Sequence, residues 1–179
     1  MLFLCLIRIC FGGLAEFKDD IWLEWSFGDQ EDVYFSLYVP SEDSQSWGWV
    51  GVGFNQFWEN KSMAKGDFVT VILETGEIQD RYADYNEYPP KDVLISGKHS
   101  IQTLSDSGEL AGNYYVYKWK RSTDTEDYKD TKLYKNSKVY LLWARGQTIE
   151  GDIMFHNSFG AMKVVLSEDF QGSFGGSKR

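Results

Sequence analysis

A chain of 179 residues suits one domain, long enough to bury a good core without covalent staples. A formal charge of −9 and a pI near 4.7 exclude nucleic acid as a partner, because neutralising phosphates needs a basic face. Aromatic residues make up 17% of the chain, enough to fill a β-sandwich or barrel with Trp, Tyr and Phe.

The N-terminus, MLFLCLIRICFGGLAEF, is short and apolar, with small residues at Gly12, Gly13 and Ala15 before charge begins at Glu16. It resembles a secretory signal over residues 1–15, cleaved near Ala15, although Arg8 interrupts its apolar run. The other readings are a mispredicted start and a buried first strand. A membrane-spanning helix needs about 20 apolar residues, so the segment is too short for an anchor. Cys5 and Cys10 both lie inside it, which would leave a cleaved chain with no disulfide, thiolate metal site or Cys nucleophile.

Further along, residues 21–27 alternate Ile21, Leu23, Trp25 and Phe27 with more polar neighbours, the period of a strand. Residues 33–39 repeat the pattern with Val33, Phe35, Leu37 and Val39. Residues 47–55 form a third strand in which Gly48, Gly51 and Gly53 imply close approach by another backbone or a flat ligand. Strands are expected at 68–73 and 78–82, then a loop over 85–92 that contains Pro89 and Pro90. Others follow at 100–104, 114–120, 139–144 and 161–166, and residues 171–179 read as a disordered tail. The polar run 121–132 reads as a solvated connection. Its carboxylates would suit calcium, but it lacks the central Gly and terminal Glu of an EF-hand loop. Many short strands with frequent turns predict an all-β sandwich over residues 16–170.

The blocks Trp47-Gly48-Trp49-Val50-Gly51-Val52-Gly53-Phe54-Asn55, Met63 with Asp67, and Asp80-Arg81-Tyr82 resemble a DOMON domain. So do Tyr117–Arg121 with Thr125, Asp127 and Asp130, then Leu142–Gly146, and His156 with Gly160. The resemblance runs from about Asp20 to Leu166 in the family's order. It implies an all-β, immunoglobulin-like antiparallel β-sandwich of the secretory pathway, of one of two kinds: a b-type cytochrome similar to the electron-transfer domain of cellobiose dehydrogenase, or a haem-free module that binds a sugar or small aromatic ligand. In the cytochrome branch a Met after the glycine-rich strand and a His near the last strands are the axial ligands of haem b. Those positions correspond here to Met63 and His156.

Residue chemistry agrees with that correspondence. A Met/His pair is an established six-coordinate haem set. His99 and His156 are the two histidines, and a bis-His site through His99 stays open, although Lys98-His99-Ser100 reads as an exposed loop. Met154 lies two residues before His156, on the same side of an extended segment, so the two cannot clamp a porphyrin. Met162 is expected in the core. No C-x-x-C-H is present, which excludes c-type attachment. Phe54, Phe57 and Trp58 are candidate porphyrin walls, and Lys61, Lys65 and Arg145 candidate propionate partners. Asp67, Asp80 and Arg121 read as structural hydrogen-bonding groups. Two histidines cannot furnish the imidazoles of a copper monooxygenase, and no G-x-S-x-G or HExxH is present, so an enzyme is not expected. A redox partner protein or a small-molecule ligand is expected instead. Asn60-Lys61-Ser62 fits an N-glycosylation acceptor, consistent with an extracellular or secretory location.

Overall fold

A computed structural model describes residues 12–56 and 61–174. The alternating runs form strands because each has one face of Val, Leu, Phe or Trp to bury. In chain order they are β1 (Gly13–Glu16), β2 (Trp22–Phe27), β3 (Asp32–Pro40), β4 (Trp49–Asn55), β5 (Gly66–Ile72) and β6 (Glu77–Ala83). Then come β7 (Gln102–Thr103), β8 (Glu109–Ala111), β9 (Tyr114–Ser122), β10 (Lys138–Ile149), β11 (Asp152–Val165) and β12 (Gln171–Ser173). One sheet runs β12-β1-β2-β3-β9-β7, with β8 also on β9; the other runs β11-β10-β4-β5-β6. Neighbours are antiparallel except β1 and β12, which are parallel. The result is a two-sheet β-sandwich.

The interior is aromatic, as the composition predicts. Trp25, Phe35, Trp119 and Trp143 are buried, and the Phe35 ring lies 5.4 Å from Trp119 and 5.3 Å from Phe54. Each such side chain contributes about 1.5–3 kcal/mol through removal from water.

Four expectations need correction. Residues 13–16, within and just after the segment read as a signal, are a strand paired between β12 and β2, with Leu14 and Ala15 buried. The small apolar residues of a cleavage site and of a short buried strand look alike in sequence. Residues 171–173 are a strand too, held by β1, rather than part of a disordered tail. β11 starts nine residues before position 161, and its register against β10 breaks on either side of Gly146, which hides its period of two. The connection 121–132 is not solvated throughout: Thr123, Asp127, Lys129, Asp130 and Thr131 are buried.

Candidate functional site

The five-stranded sheet presents two faces to different surroundings. On β4, Val50, Val52 and Phe54 enter the main core, whereas Trp49, Gly51, Gly53 and Asn55 alternate to the outer face. Phe54 is therefore not a wall of an outer site: it is fully buried against Phe35, as its one-residue offset from Gly53 requires. The glycines serve mainly neighbouring protein groups. A Cβ at Gly53 would fall 2.4 Å from the Phe68 ring, and one at Gly48 only 2.2 Å from the Thr148 nitrogen. At Gly51 the nearest atoms, on Thr70 and Trp49, stand 3.2–3.3 Å away.

Met63 sits on a short turn that closes the loop into β5. Gly66 N–H donates to the Met63 carbonyl at 2.9 Å, and the Met63 and Ala64 N–H groups both donate to Asn86 Oδ1. Asn55 Nδ2 donates to the Ala64 carbonyl from the end of β4. So pinned, the partly buried Met63 packs against the outer-face cluster of Phe68, Ala83, Tyr140 and Leu142. A flexible thioether filling a gap is ordinary packing, so the methionine gains meaning from what shares its face.

His156 shares that face. It pairs with Gly146 between the two register breaks of β10 and β11, the kind of irregularity that re-aims a side chain. The Trp49 indole leans over Gly146 and donates to the Met154 carbonyl at 3.1 Å, tying this part of β11 down. The imidazole is half-buried, with ring centroids 4.6 Å from Phe155 and 4.4 Å from Phe159. Burial pushes its pKa below the usual imidazole value, partly offset by its own main chain. Its Nδ1 is buried with no hydrogen-bond partner among the described residues. Phe155 and Phe159 are 85% and 64% exposed, an unusual state for two phenylalanines in one strand.

Along β10, Leu142 opposes Ala161 beneath Met63, Ala144 opposes Phe159, and Gly146 opposes His156. Leu142 and Gly146 are thus about 13 Å apart along the strand. The rung between them carries small residues, Ala144 facing Gly51 on β4. A thioether and an imidazole with an unpartnered Nδ1, two donor types that haem iron accepts, stand on this one face; between their rungs the Trp49 indole lies over Gly51 and Gly146, with Ala144 packed against it. Sequence reasoning missed Ala144, Phe155 and Phe159. Its available signal was the Phe-His-Asn-Ser-Phe run, aromatic at both ends around a histidine.

Other candidates fall elsewhere. Phe57, Trp58 and Asn60 lie outside the described residues. Lys65 is committed to Asp84 at 2.5 Å, and Arg145 donates to Asp19 and Asn157 while stacking on Trp47. Lys61 is exposed, as is His99. Met162 packs against the main core.

A different cluster occupies the inward face of β5 and β6. Asp67 and Arg121 form a fully buried ion pair at 2.7 Å, and Thr131 N–H donates to the same Asp67 oxygen. Asp80 accepts from Ser100 N–H at 2.8 Å. Burial raises Asp80 to about 8, with the Asp67 charge adding to it, and raises Asp92 to about 7, reinforced by Asp130 and Asp67. Asp67 rises to about 6, because burial outweighs the opposing pull of Arg121.

A separate cleft of about 780 Å³ opens at one end of the sandwich, lined by Trp47, Glu74, Tyr115, Tyr117 and Gln147 among others. No helix among the described residues is long and apolar enough to cross a membrane.

Comparison with known families decides the affiliation: the model of the DOMON domain matches residues 18–146, well over half of the sequence. The chain belongs to the DOMON family. No curated protein matches this DOMON chain in sequence. Among solved structures it is similar to the cytochrome b domain of pyranose dehydrogenase from Coprinopsis cinerea, at 15% identity and a TM-score of 0.57. That similarity covers 82% of this chain and 76% of the other, and at such identity it speaks for the fold. Met63 lies inside the matched DOMON segment and His156 ten residues beyond it.

Proposed function

We propose that this DOMON chain is a secreted b-type cytochrome module that binds haem b through Met63 and His156 and passes single electrons to or from a separate redox protein. The observation that carries the proposal is the shared outer face. Met63 packs over the Leu142 rung, His156 stands at the Gly146 rung with Nδ1 unpartnered, and Ala144 and Gly51 lie between them. When bound, haem supplies one-electron chemistry, and thioether ligation sets its potential on the high side. The chain's own part is to fix the two donors and exclude water. Asn55 and Asn86 hold the Met63 turn, Trp49 ties down β11 through Met154, and Phe155 and Phe159 flank the imidazole. Trp58 is proposed as a further wall.

The test is purification after expression with haem supplied, followed by reduced-minus-oxidised spectroscopy. A low-spin b-type spectrum is expected, lost in Met63→Ala and in His156→Ala while circular dichroism stays β-rich. Wild-type spectra in both variants would show the ligands to be wrong. A second reading, a haem-free module for a sugar or small aromatic ligand, draws on the cleft lined by Trp47, Tyr115 and Tyr117. A colourless wild type whose tryptophan fluorescence responds to a sugar, with the response lost in Trp47→Ala, would favour it.

A further inference from the structure

The acidic cluster between the sheets lacks the partners its burial demands. Asp67 on β5 opposes Phe54, and Asp80 on β6 opposes Val69, so both carboxylates share the inward face near the sheet's β6 edge. Asp130 reaches the same place from the connection that follows β9. One oxygen from each of Asp67, Asp80 and Asp130 lies within 4.8 Å of the others, and all three residues are buried. That separation is about the diameter of a coordination sphere of radius 2.3–2.6 Å, the range of calcium–oxygen bonds.

Hydrogen bonding accounts for only part of this cluster. Arg121 and Thr131 N–H satisfy one Asp67 oxygen, and Ser100 N–H satisfies one Asp80 oxygen. Among the described residues no hydrogen bond reaches Asp80 Oδ1 or either oxygen of Asp130, which is 95% buried (5% exposed). Neither oxygen of Asp92 has a partner, although its residue is buried beside them and feels the Asp130 charge. Arg121 is the cation in contact. Lys129 turns its ammonium to the Tyr128 hydroxyl, and Asp127 is occupied by the N–H groups of Lys98 and Lys129. Buried carboxylates left this way are expensive unless a cation or protons compensate them.

We propose that Asp67, Asp80 and Asp130 bind one calcium ion, with Asp92 at the margin of the site. The oxygen-only donor set excludes metals that prefer thiolate or imidazole. Irregular donors from two strands and a loop suit the flexible calcium shell better than the strict octahedron of magnesium, which also keeps its waters. The ion would fasten the connection after β9 to the open edge of the sandwich, a structural role independent of haem.

The experiment uses the full chain, stripped with chelator and then titrated with calcium alone or magnesium alone. Native mass spectrometry should find one calcium per folded chain. The melting temperature should rise by roughly 5–10 °C at a hundredfold excess over the dissociation constant. Magnesium should give a much smaller rise. Asp130→Asn should lose the calcium response, whereas Asp124→Asn, in the exposed part of the same connection, should keep it. A folded wild type that takes up no calcium and does not change its melting temperature overturns the proposal, as does an undiminished response in Asp130→Asn. Should Asp130→Asn fail to fold, the wild-type mass still decides.

Discussion

Two neighbouring regions of one sheet fail to satisfy themselves in opposite ways. On the outer face, the surroundings of His156 leave two phenylalanines in water and an imidazole nitrogen without a partner. On the inner face, Met63's near neighbour Asp67 belongs to a dry cluster with more carboxylates than cations. The first deficit is apolar surface at the rim, which the fold tolerates at little cost. The second is charge inside the sandwich, where the same fold depends on compensation. Ligand sites that serve function and sites that serve stability should therefore separate by mutation.

The largest effect should come from the inner region. Arg121→Ala leaves Asp67 buried without its guanidinium, and urea unfolding should show a loss of about 3–5 kcal/mol. A loss below 1 kcal/mol would mean that Asp67 is protonated in the folded state and the contrast fails. Next is the floor of the outer face. Gly53→Ala drives a Cβ into the Phe68 ring and should destabilise by roughly 1–3 kcal/mol in the same assay. Phe159→Ser sharpens the comparison, since it should leave stability within about 0.5 kcal/mol while weakening haem retention on gel filtration. The smallest effect should be Asp124→Asn. Hydrogen bonds from Lys132, Glu126 N–H and Tyr134 hold Asp124 down to about 2. Its contribution is complete above the unfolded value near 4 and fades as pH falls towards 2. Thermal melts of variant and wild type should therefore differ slightly at pH 7 and coincide near pH 2.

Strands with one plainly apolar face were legible from residues alone: β2, β3, β4, β5, β6 and β9 lie close to where alternation places them. The exposed β8 and the short strands β1 and β12 carry no such signal, because three or four residues are too few for an alternation to show. The start of β11 was hidden by its register breaks, which are also what set His156 apart. Phe54 was within reach of the sequence, since the alternation that turns Gly53 outward turns Phe54 inward. Asp67, Asp80 and Arg121 do hydrogen-bond as their placement suggested. The burial of Asp130 was not readable, because a polar connection folded under a sheet edge has the composition of one in water. Why the glycines recur along and just before β4 is clear from their neighbours: Phe68 fills the space at Gly53 and Thr148 crosses at Gly48.

The central claim concerns two donor atoms, and near-infrared magnetic circular dichroism of the oxidised, haem-loaded protein reads them directly. A thioether–imidazole signature in the wild type, absent from both Met63→Ala and His156→Ala, is the result expected. A bis-imidazole signature, or no haem taken up by folded wild-type protein, would contradict the assignment of Met63 and His156.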